Sequence, residues 1–164
     1  MSSYSVQFSS LCELGAREEQ EDAIDVIEFD QRCRFIVIDG MGGTREGAEA
    51  AQLLMKQFRR PVPLENVVQV AHKKFNEWLS TEFSDLESHD QPGAVATILE
   101  MDFQNETAVV FHLGDTRLYI GKEGRFLRVT EDQIDEEGKV MHSELVSEIT
   151  EEPNYQAVLE VVGA

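Results

Sequence analysis

Runs of apolar residues predict β-strands at the start of the chain and two helices after them. The run Arg34–Ile38 (RFIVI) is apolar and rich in β-forming residues, which is typical of a buried central strand. Further on, apolar positions recur at helical spacing until prolines end the first helix. The predicted elements are strands at Tyr4–Leu14, Ala23–Phe29 and Arg34–Ile38, and helices at Arg45–Arg60 and from Leu64 to about Leu86. Two adjacent helices of this kind would cover one face of a sheet.

From Gly93 onward the pattern favours strands again. The predicted strands are Ala94–Met101, Thr107–Leu113, and a hairpin formed by Arg117–Ile120 and Arg125–Val129. After Thr130 acidic residues dominate, and the pattern indicates only short helices, around Ser143–Ile149 and after Pro153. This order of elements predicts one α+β domain over residues 1–164, with helices packed on a sheet.

The balance of charge narrows the range of partners. The chain has 164 residues, of which 14 are basic and 32 acidic, for a net charge of −18. A surface this negative repels phosphate backbones and anionic lipids, so we expect neither nucleic acid nor a membrane as a partner. No apolar run approaches the ~20 residues of a membrane span, and the first residues lack a signal-peptide pattern, so we expect a cytoplasmic protein. Cys12 and Cys33 are too few for a disulfide scaffold or a four-thiolate zinc site.

Candidate chemistry lies in the first 45 residues. Glu21 and Asp22 fall in a loop-like stretch just before a strand, and Asp39 closes the apolar strand and opens the glycine turn Asp39–Gly43. Carboxylates and carbonyl oxygens suit hard cations such as Mg²⁺ and Mn²⁺. In a chain with 32 acidic residues, however, a Glu-Asp pair is more often a solvated loop. The glycine turn lacks the pattern of a P-loop or of a dinucleotide site.

Three sequence segments, taken together and in their order along the chain, indicate more about the fold and function than any one of them alone. They are GAREEQEDAIDV (Gly15–Val26), FIVIDGMGGTREGAEAA (Phe35–Ala51), and the region Gly93–Gln133 with its LGDTR and VTEDQ motifs. Together they resemble the metal-dependent serine/threonine protein phosphatases of type 2C in their bacterial form. That family has Arg followed by Glu-Asp-Ala, an apolar strand into Asp-Gly-Met-Gly-Gly, and Val-Gly-Asp-Ser-Arg before Leu-Thr-x-Asp-His. The resemblance covers about residues 15–133, and leaves the acidic stretch 134–164 unassigned.

The resemblance implies two antiparallel sheets flanked by helices, with two Mn²⁺ or Mg²⁺ ions between the sheets. The implied activity is hydrolysis of phosphoserine and phosphothreonine on proteins by metal-activated water. By the same resemblance, Asp39 would bridge the metals, Glu21 and the Gly40 carbonyl would hold one of them, and Asp22 would act through water. Arg17 would bind the substrate phosphate through its planar guanidinium. Asp115, Arg117 and the strand residue His112 are interpreted as structural.

The sequence also departs from the family pattern. The family has a Ser-Asp-Gly motif and a Gly-x-x-Asp-Asn motif further along, whose aspartates complete the second metal site, and neither is present here. Only one of the two expected ions would then be held, and sheet edges would be exposed to a second copy or a partner chain. The alternative is therefore a catalytically impaired, phosphatase-like module that binds a phosphoprotein or regulatory partner. A third interpretation, an acidic scaffold module, does not require Arg17, Glu21, Asp22, Asp39 and Gly40 together.

Overall fold

The computed structural model describes residues 6–16, 19–41, 45–87, 90–122, 124–131 and 144–147. The elements along the chain are β1 (Asp22–Phe29), β2 (Arg32–Met41), α1 (Arg45–Phe58), α2 (Leu64–Glu82), β3 (Gly93–Asp102), β4 (Thr107–Leu113), β5 (Tyr119–Lys122), β6 (Arg125–Arg128) and β7 (Glu144–Ser147). The described strands form a five-stranded sheet in the order β1-β2-β3-β4-β7 and a two-stranded sheet of β5 and β6. All strand pairs are antiparallel.

One face of the larger sheet is covered by the helices. Alternation along β2 turns Ile36 and Ile38 towards α1, and their partners on β3, Ile98 and Ala96, face the same way. The ring of Phe58, at the end of α1, lies 5.9 Å from that of Phe111 on β4. The core between these layers also contains α2 residues, so both helices bury their apolar sides there. The predicted helix layer on a sheet is confirmed.

The opposite face of this sheet is less evenly covered. Val95 and Val110 are buried on this face, whereas the β2 residue Val37 is 42% exposed. The second sheet follows β4 through a corner at Gly114. There the backbone has a φ of +100°, and a Cβ would lie only 2.2 Å from the Cβ of Val95. Glycine is therefore required for the close approach of this corner to β3.

Most predicted elements are confirmed, with shifts of a few residues at their ends. The strand predicted at Tyr4–Leu14 is wrong over residues 6–14, which carry no regular structure. The helix predicted around Ser143–Ile149 is wrong over Glu144–Ser147, because these residues pair with β4 as β7. The helix predicted after Pro153 lies outside the described residues.

The end of β2 also differs from the prediction. The strand does not stop at Ile38 but continues through Asp39 and Gly40 to Met41, because all three residues have partners on β3. Asp39 is therefore a strand residue with neighbours on both sides, which fixes its backbone more firmly than a turn would. Gly42 and Gly43, the rest of the predicted glycine turn, lie outside the described residues.

No helix in the described part of the chain has both the length and the apolar character needed to cross a lipid bilayer. The predicted cytoplasmic location stays a prediction.

Candidate functional site

The sheet register brings two of the predicted acidic residues together. Asp22, the first residue of β1, pairs directly with Asp39 of β2. Directly opposed residues of an antiparallel pair project their side chains to the same face, and their Cα atoms are typically about 4.5–5.5 Å apart. Since Asp39 alternates with Ile38, this face is the one opposite the helices. The arrangement creates a pair of adjacent carboxylates at one end of two rigid strands.

Glu21 and Gly40 meet in the same place through the backbone. The Gly40 N–H donates to the carbonyl oxygen of Glu21 over 3.2 Å. A Cβ on Gly40 would lie 2.2 Å from the backbone oxygen of Gly47, the third residue of α1. A Cβ on Gly47 would in turn lie 3.2 Å from the carboxylate carbon of Glu21. Two glycines therefore allow α1 to approach β2 closely enough to bury the Glu21 side chain, which is 5% exposed.

These contacts separate the side chains of the predicted ligands. The Glu21 carboxylate packs against the first turn of α1, whereas Asp22 and Asp39 lie on the opposite face of the sheet. Within the described ranges, no three Asp, Glu, His or Cys side chains converge as a metal site would require. The ligand roles of Glu21, Asp39 and Gly40 and the water-mediated role of Asp22 stay predictions. Arg17, the predicted phosphate-binding residue, lies outside the described residues.

An open cleft borders this constellation. It has a volume of about 380 Å³ and is lined by Glu19, two residues before Glu21, and by Ala48, Glu49 and Gln52 of α1.

His112 belongs to a buried polar network on the face that carries Asp39. The His112 side chain is 3% exposed, and its Nδ1 lies 2.8 Å from Oγ1 of Thr97. Its Nε2 lies 2.6 Å from the carbonyl oxygen of Glu131, which can only accept, so Nε2 carries the proton. Thr116 joins the network through its hydroxyl, 2.6 Å from that of Thr97. Both ring nitrogens are thus used within the fold, in agreement with the interpretation of His112 as structural.

The sequence analysis missed a second buried polar cluster, centred on Arg34 and Glu100. The Arg34 side chain is fully buried, and its Nε donates to Glu100 Oε2 over 2.8 Å. Its Nη1 donates to the carbonyl oxygens of Phe58 and Arg60, over 2.6 and 3.1 Å. The Leu64 N–H at the start of α2 donates to Glu100 Oε1 over 3.3 Å.

The one signal for this cluster in the sequence was Arg34, a charged residue at the edge of the apolar run RFIVI. The register of β2 and β3 then pairs Arg34 directly with Glu100. A cation near the end of one helix and an anion at the start of the next also match the helix dipoles. The cluster lies on the helix side of the sheet, so it positions α1 rather than contacting the acidic constellation.

The arrangement of the elements matches known structures. A Stage II sporulation E family protein from Thermanaerovibrio acidaminovorans is 24% identical and superposes with a TM-score of 0.58, covering 68% of this chain and 53% of that one. The S. agalactiae serine/threonine phosphatase is 20% identical, with a TM-score of 0.59, covering 72% and 52%. The chain has the type 2C phosphatase fold. The catalytic domain of the serine/threonine protein phosphatase PstP, solved in complex with two manganese ions, is 22% identical with a TM-score of 0.53, covering 73% and 52%.

These likenesses confirm the predicted type 2C fold and its α+β class. The chain spans between about half and two thirds of the length of the solved type 2C structures named here and of a related bacterial serine phosphatase. Comparison of the sequence with protein-family models and with curated proteins gives no match.

Proposed function

We propose that the chain is a Mn²⁺- or Mg²⁺-dependent phosphatase that hydrolyses phosphoserine and phosphothreonine on proteins. The observation that carries the proposal is the pairing of Asp22 with Asp39 in a type 2C fold, beside the Glu21–Gly40 backbone contact. Structures with this fold include serine/threonine phosphatases and one that was solved with two manganese ions. The fold and the retained acidic residues thus support the same chemistry.

The donor set suits a hard cation. Asp22 and Asp39 place carboxylate oxygens on one face of the sheet, and oxygen ligands on rigid strands match the preference of Mg²⁺ and Mn²⁺. In this proposal Asp39 holds the ion, Asp22 acts through a bound water, and the Gly40 carbonyl supplies a further oxygen ligand. Glu21 would join them by turning its side chain away from α1, against which it packs. A bound divalent cation would supply an acidified water and neutralise charge on the phosphoryl oxygens.

In this proposal, side chains of the protein orient the attacking water and bind the phosphate. Hydrolysis forms a bond between a water oxygen and phosphorus and breaks the bond from phosphorus to the serine or threonine oxygen, which takes up a proton. In this proposal Asp22 accepts a hydrogen bond from the attacking water and so orients it. Arg17, five residues before Asp22 in the sequence, is proposed to bind the phosphoryl oxygens bidentately.

A second candidate function is a phosphatase-like module that binds a phosphoprotein or a regulatory protein without turnover. It is favoured by the finding that the described residues do not form a three-ligand metal group. Under this alternative the acidic constellation and Arg17 form a recognition surface, and the sheet edges accept the partner. Self-association, or binding of a partner chain, along an exposed edge of the sheet stays a prediction.

Hydrolysis by the purified chain separates the two candidates. The substrates are p-nitrophenyl phosphate and a phosphoserine peptide, each with Mn²⁺ and with excess chelator. For the enzyme we expect Mn²⁺-dependent turnover that falls by about 100-fold or more in Asp39→Ala. The matched control is Asp85→Ala, which removes an exposed carboxylate after α2 and is expected to keep wild-type turnover.

Absence of turnover in the folded wild-type chain would contradict the proposal that the chain is a phosphatase. Saturable binding of the phosphoserine peptide, but not of its unphosphorylated form, would then support the binding module. Turnover that is unaffected by chelator or by Asp39→Ala would contradict the proposed site.

A further inference from the structure

Asp22 begins the outermost strand of the described sheet, where part of its backbone faces no neighbouring strand. The Gly40 N–H donates to the carbonyl oxygen of Glu21, so these two residues form a hydrogen-bonded pair. Hydrogen-bonded and non-hydrogen-bonded pairs alternate along an antiparallel ladder. Asp22 and Asp39, the next pair, are therefore non-hydrogen-bonded. The backbone N–H and carbonyl groups of Asp22 consequently point outward from β2 and need other partners.

The side chain of Gln20 supplies one of these partners, because the Asp22 N–H donates to its Oε1 over 3.2 Å. A backbone N–H can only donate, so the amide oxygen faces Asp22 and the amide nitrogen faces Cys12. That nitrogen donates to Sγ of Cys12 over 3.1 Å. The thiol lies 3.9 Å from the carbonyl oxygen of Asp22 and completes the circuit through a weak hydrogen bond. We term this circuit of Cys12, Gln20 and the Asp22 backbone the Asp22 clip.

The N-terminal segment that carries Cys12 is itself anchored to the sheet. Residues 6–14 have no regular structure, yet the ring of Phe8 packs edge-on against that of Phe35, with centroids 6.3 Å apart. Phe35 lies on β2, and its side chain projects to the face that carries Asp39. The segment is therefore held at two points, and its thiol is a positioned partner in the Asp22 clip.

We propose that Gln20 is a positioning residue for Asp22, an inference that rests on the proposed function. Through the Asp22 clip, Gln20 fixes the backbone at the start of β1 and so keeps the Asp22 carboxylate beside Asp39. In this role Gln20 touches neither the substrate nor the ion, and it acts through Asp22 alone. Without its amide, the first residue of an edge strand would lose the hydrogen bond to its N–H. The carboxylate that orients the attacking water would then lose its fixed position.

Amide exchange of the metal-free chain, measured by NMR, tests the Asp22 clip without any turnover. Gln20→Ala removes both hydrogen bonds of the amide and is expected to speed exchange of the Asp22 N–H by about fivefold, the effect of one hydrogen bond. Gln20→Asn is expected to keep exchange near the wild-type rate, because an Asn side chain accepts from the N–H two residues further on. The matched control is Gln69→Ala, which removes an exposed amide on α2 and is expected to leave this exchange unchanged.

Steady-state kinetics on a phosphoserine peptide with Mn²⁺ tests whether this position serves the chemistry. Gln20→Ala is expected to lower kcat by about tenfold with KM and the half-saturating Mn²⁺ concentration unchanged, because only the orientation of the water is lost. Gln20→Asn is expected to restore kcat, and Gln69→Ala to keep the wild-type value. A purely structural role would lower Tm and leave the kcat of the folded protein unchanged.

The outcomes distinguish this inference from the proposed function. Equal exchange of the Asp22 N–H in Gln20→Ala and in the wild type would overturn the Asp22 clip. Unchanged kcat in Gln20→Ala, or equal losses of kcat in Gln20→Ala and Gln20→Asn, would overturn the positioning role while the proposed function stands. An inactive wild-type chain would contradict the proposed function, and the positioning role with it.

Discussion

At Gly114 the chain leaves β4 with a φ of +100° and approaches Val95 of β3. Gly124, in the β5–β6 turn, also has a positive φ, +78°, but a Cβ there would have no neighbour within 4 Å. Any other residue would therefore have a strained backbone at either position. Only at position 114 would its side chain also clash with a neighbour. Comparison of the two positions isolates the cost of steric contact.

Gly114→Ala is expected to lower the free energy of unfolding by about 3 kcal/mol or more. The left-handed backbone conformation contributes part of this loss, and the clash with Val95 contributes the rest. Urea denaturation followed by circular dichroism measures the change. Gly124→Ala, the control, is expected to cost only about 1–2 kcal/mol. Equal losses of unfolding free energy at the two positions would show that β3 shifts to accommodate the new Cβ with no cost in stability.

The sequence predicted the conformation of some single residues and missed others for a physical reason. The predicted strands Thr107–Leu113 and Arg117–Ile120 leave only three residues between them, and Gly114 lies at the corner there. The full burial of the Arg34 side chain was not predicted, because a charged side chain is almost never fully buried unless it is paired. Its burial depends on Glu100, 66 residues away, and on three backbone carbonyls at and just beyond the end of α1. The spacing of apolar residues within one element gives no information about a contact between residues so far apart in the sequence.

At the scale of elements, the Arg34–Glu100 pair fastens the helix layer to the sheet. It links β2 and β3 to the end of α1 and to the first N–H of α2. Removing Glu100 would leave the buried Arg34 without its counter-charge, which typically costs about 3–5 kcal/mol. Removing Arg34 would leave Glu100 its ion pair with Arg32, 2.7 Å away. The pair therefore contributes to the placement of α1, and through α1 to the packing of Gly47 against Glu21.

Glu100→Gln is expected to lower the free energy of unfolding by about 3–5 kcal/mol. Arg34→Met is expected to cost less, because Glu100 keeps its ion pair with Arg32. The double variant is expected to cost less than the sum by more than about 1 kcal/mol, because the two side chains act as one unit. Chemical denaturation of all four proteins provides the cycle. The exposed pair Lys74–Glu77 on α2, 2.7 Å apart, serves as the control and is expected to show little coupling. Additive losses at Arg34 and Glu100 would contradict this arrangement.

The connection between β3 and β4 is stabilised by Asp102. Its carboxylate accepts hydrogen bonds from the backbone N–H groups of Gln104 and Asn105 and forms an ion pair with Arg32. Burial would raise the pKa of Asp102, but the hydrogen bonds from Asn105 and the charge of Arg32 outweigh it and lower the pKa below its ordinary value. The ionised form is therefore favoured in the folded state.

This direction sets the pH at which Asp102 stabilises the fold. A lowered folded-state pKa adds stability above the unfolded pKa of about 3.9, and that stability is lost as pH falls through the folded value. Asp102→Asn is expected to be less stable than the wild type at pH 6, with the difference shrinking below pH ~4. Urea denaturation from pH 6 to pH 2.5 measures it. A difference that is constant across this range would contradict the role of ionisation.

At the scale of the whole molecule, the order of three motifs along the chain predicted the fold, which no single motif did. Helical and strand periodicity indicated a helix layer on a sheet, and the three ordered segments indicated the type 2C fold that the solved structures share. The site was predicted only in part. The pairing of Asp22 with Asp39 depends on the β1–β2 register, which the sequence does not state. The burial of Glu21 against α1 depends on Gly40 and Gly47 acting together.

Metal binding should therefore be visible in the stability of the molecule, independently of turnover. A cation that binds only the folded chain raises its free energy of unfolding by about 1.4 kcal/mol at ten times its Kd. For a domain of this size that corresponds to a rise in Tm of about 3–6 °C. We expect Mn²⁺ to produce such a rise in the wild type and none in Asp39→Ala, measured by differential scanning calorimetry against chelator. Asp85→Ala should retain the rise, because its carboxylate is exposed and remote from Asp39 in the sequence. The same rise in Asp39→Ala would show that Mn²⁺ binds the acidic surface at large, whose net charge of −18 attracts any divalent cation.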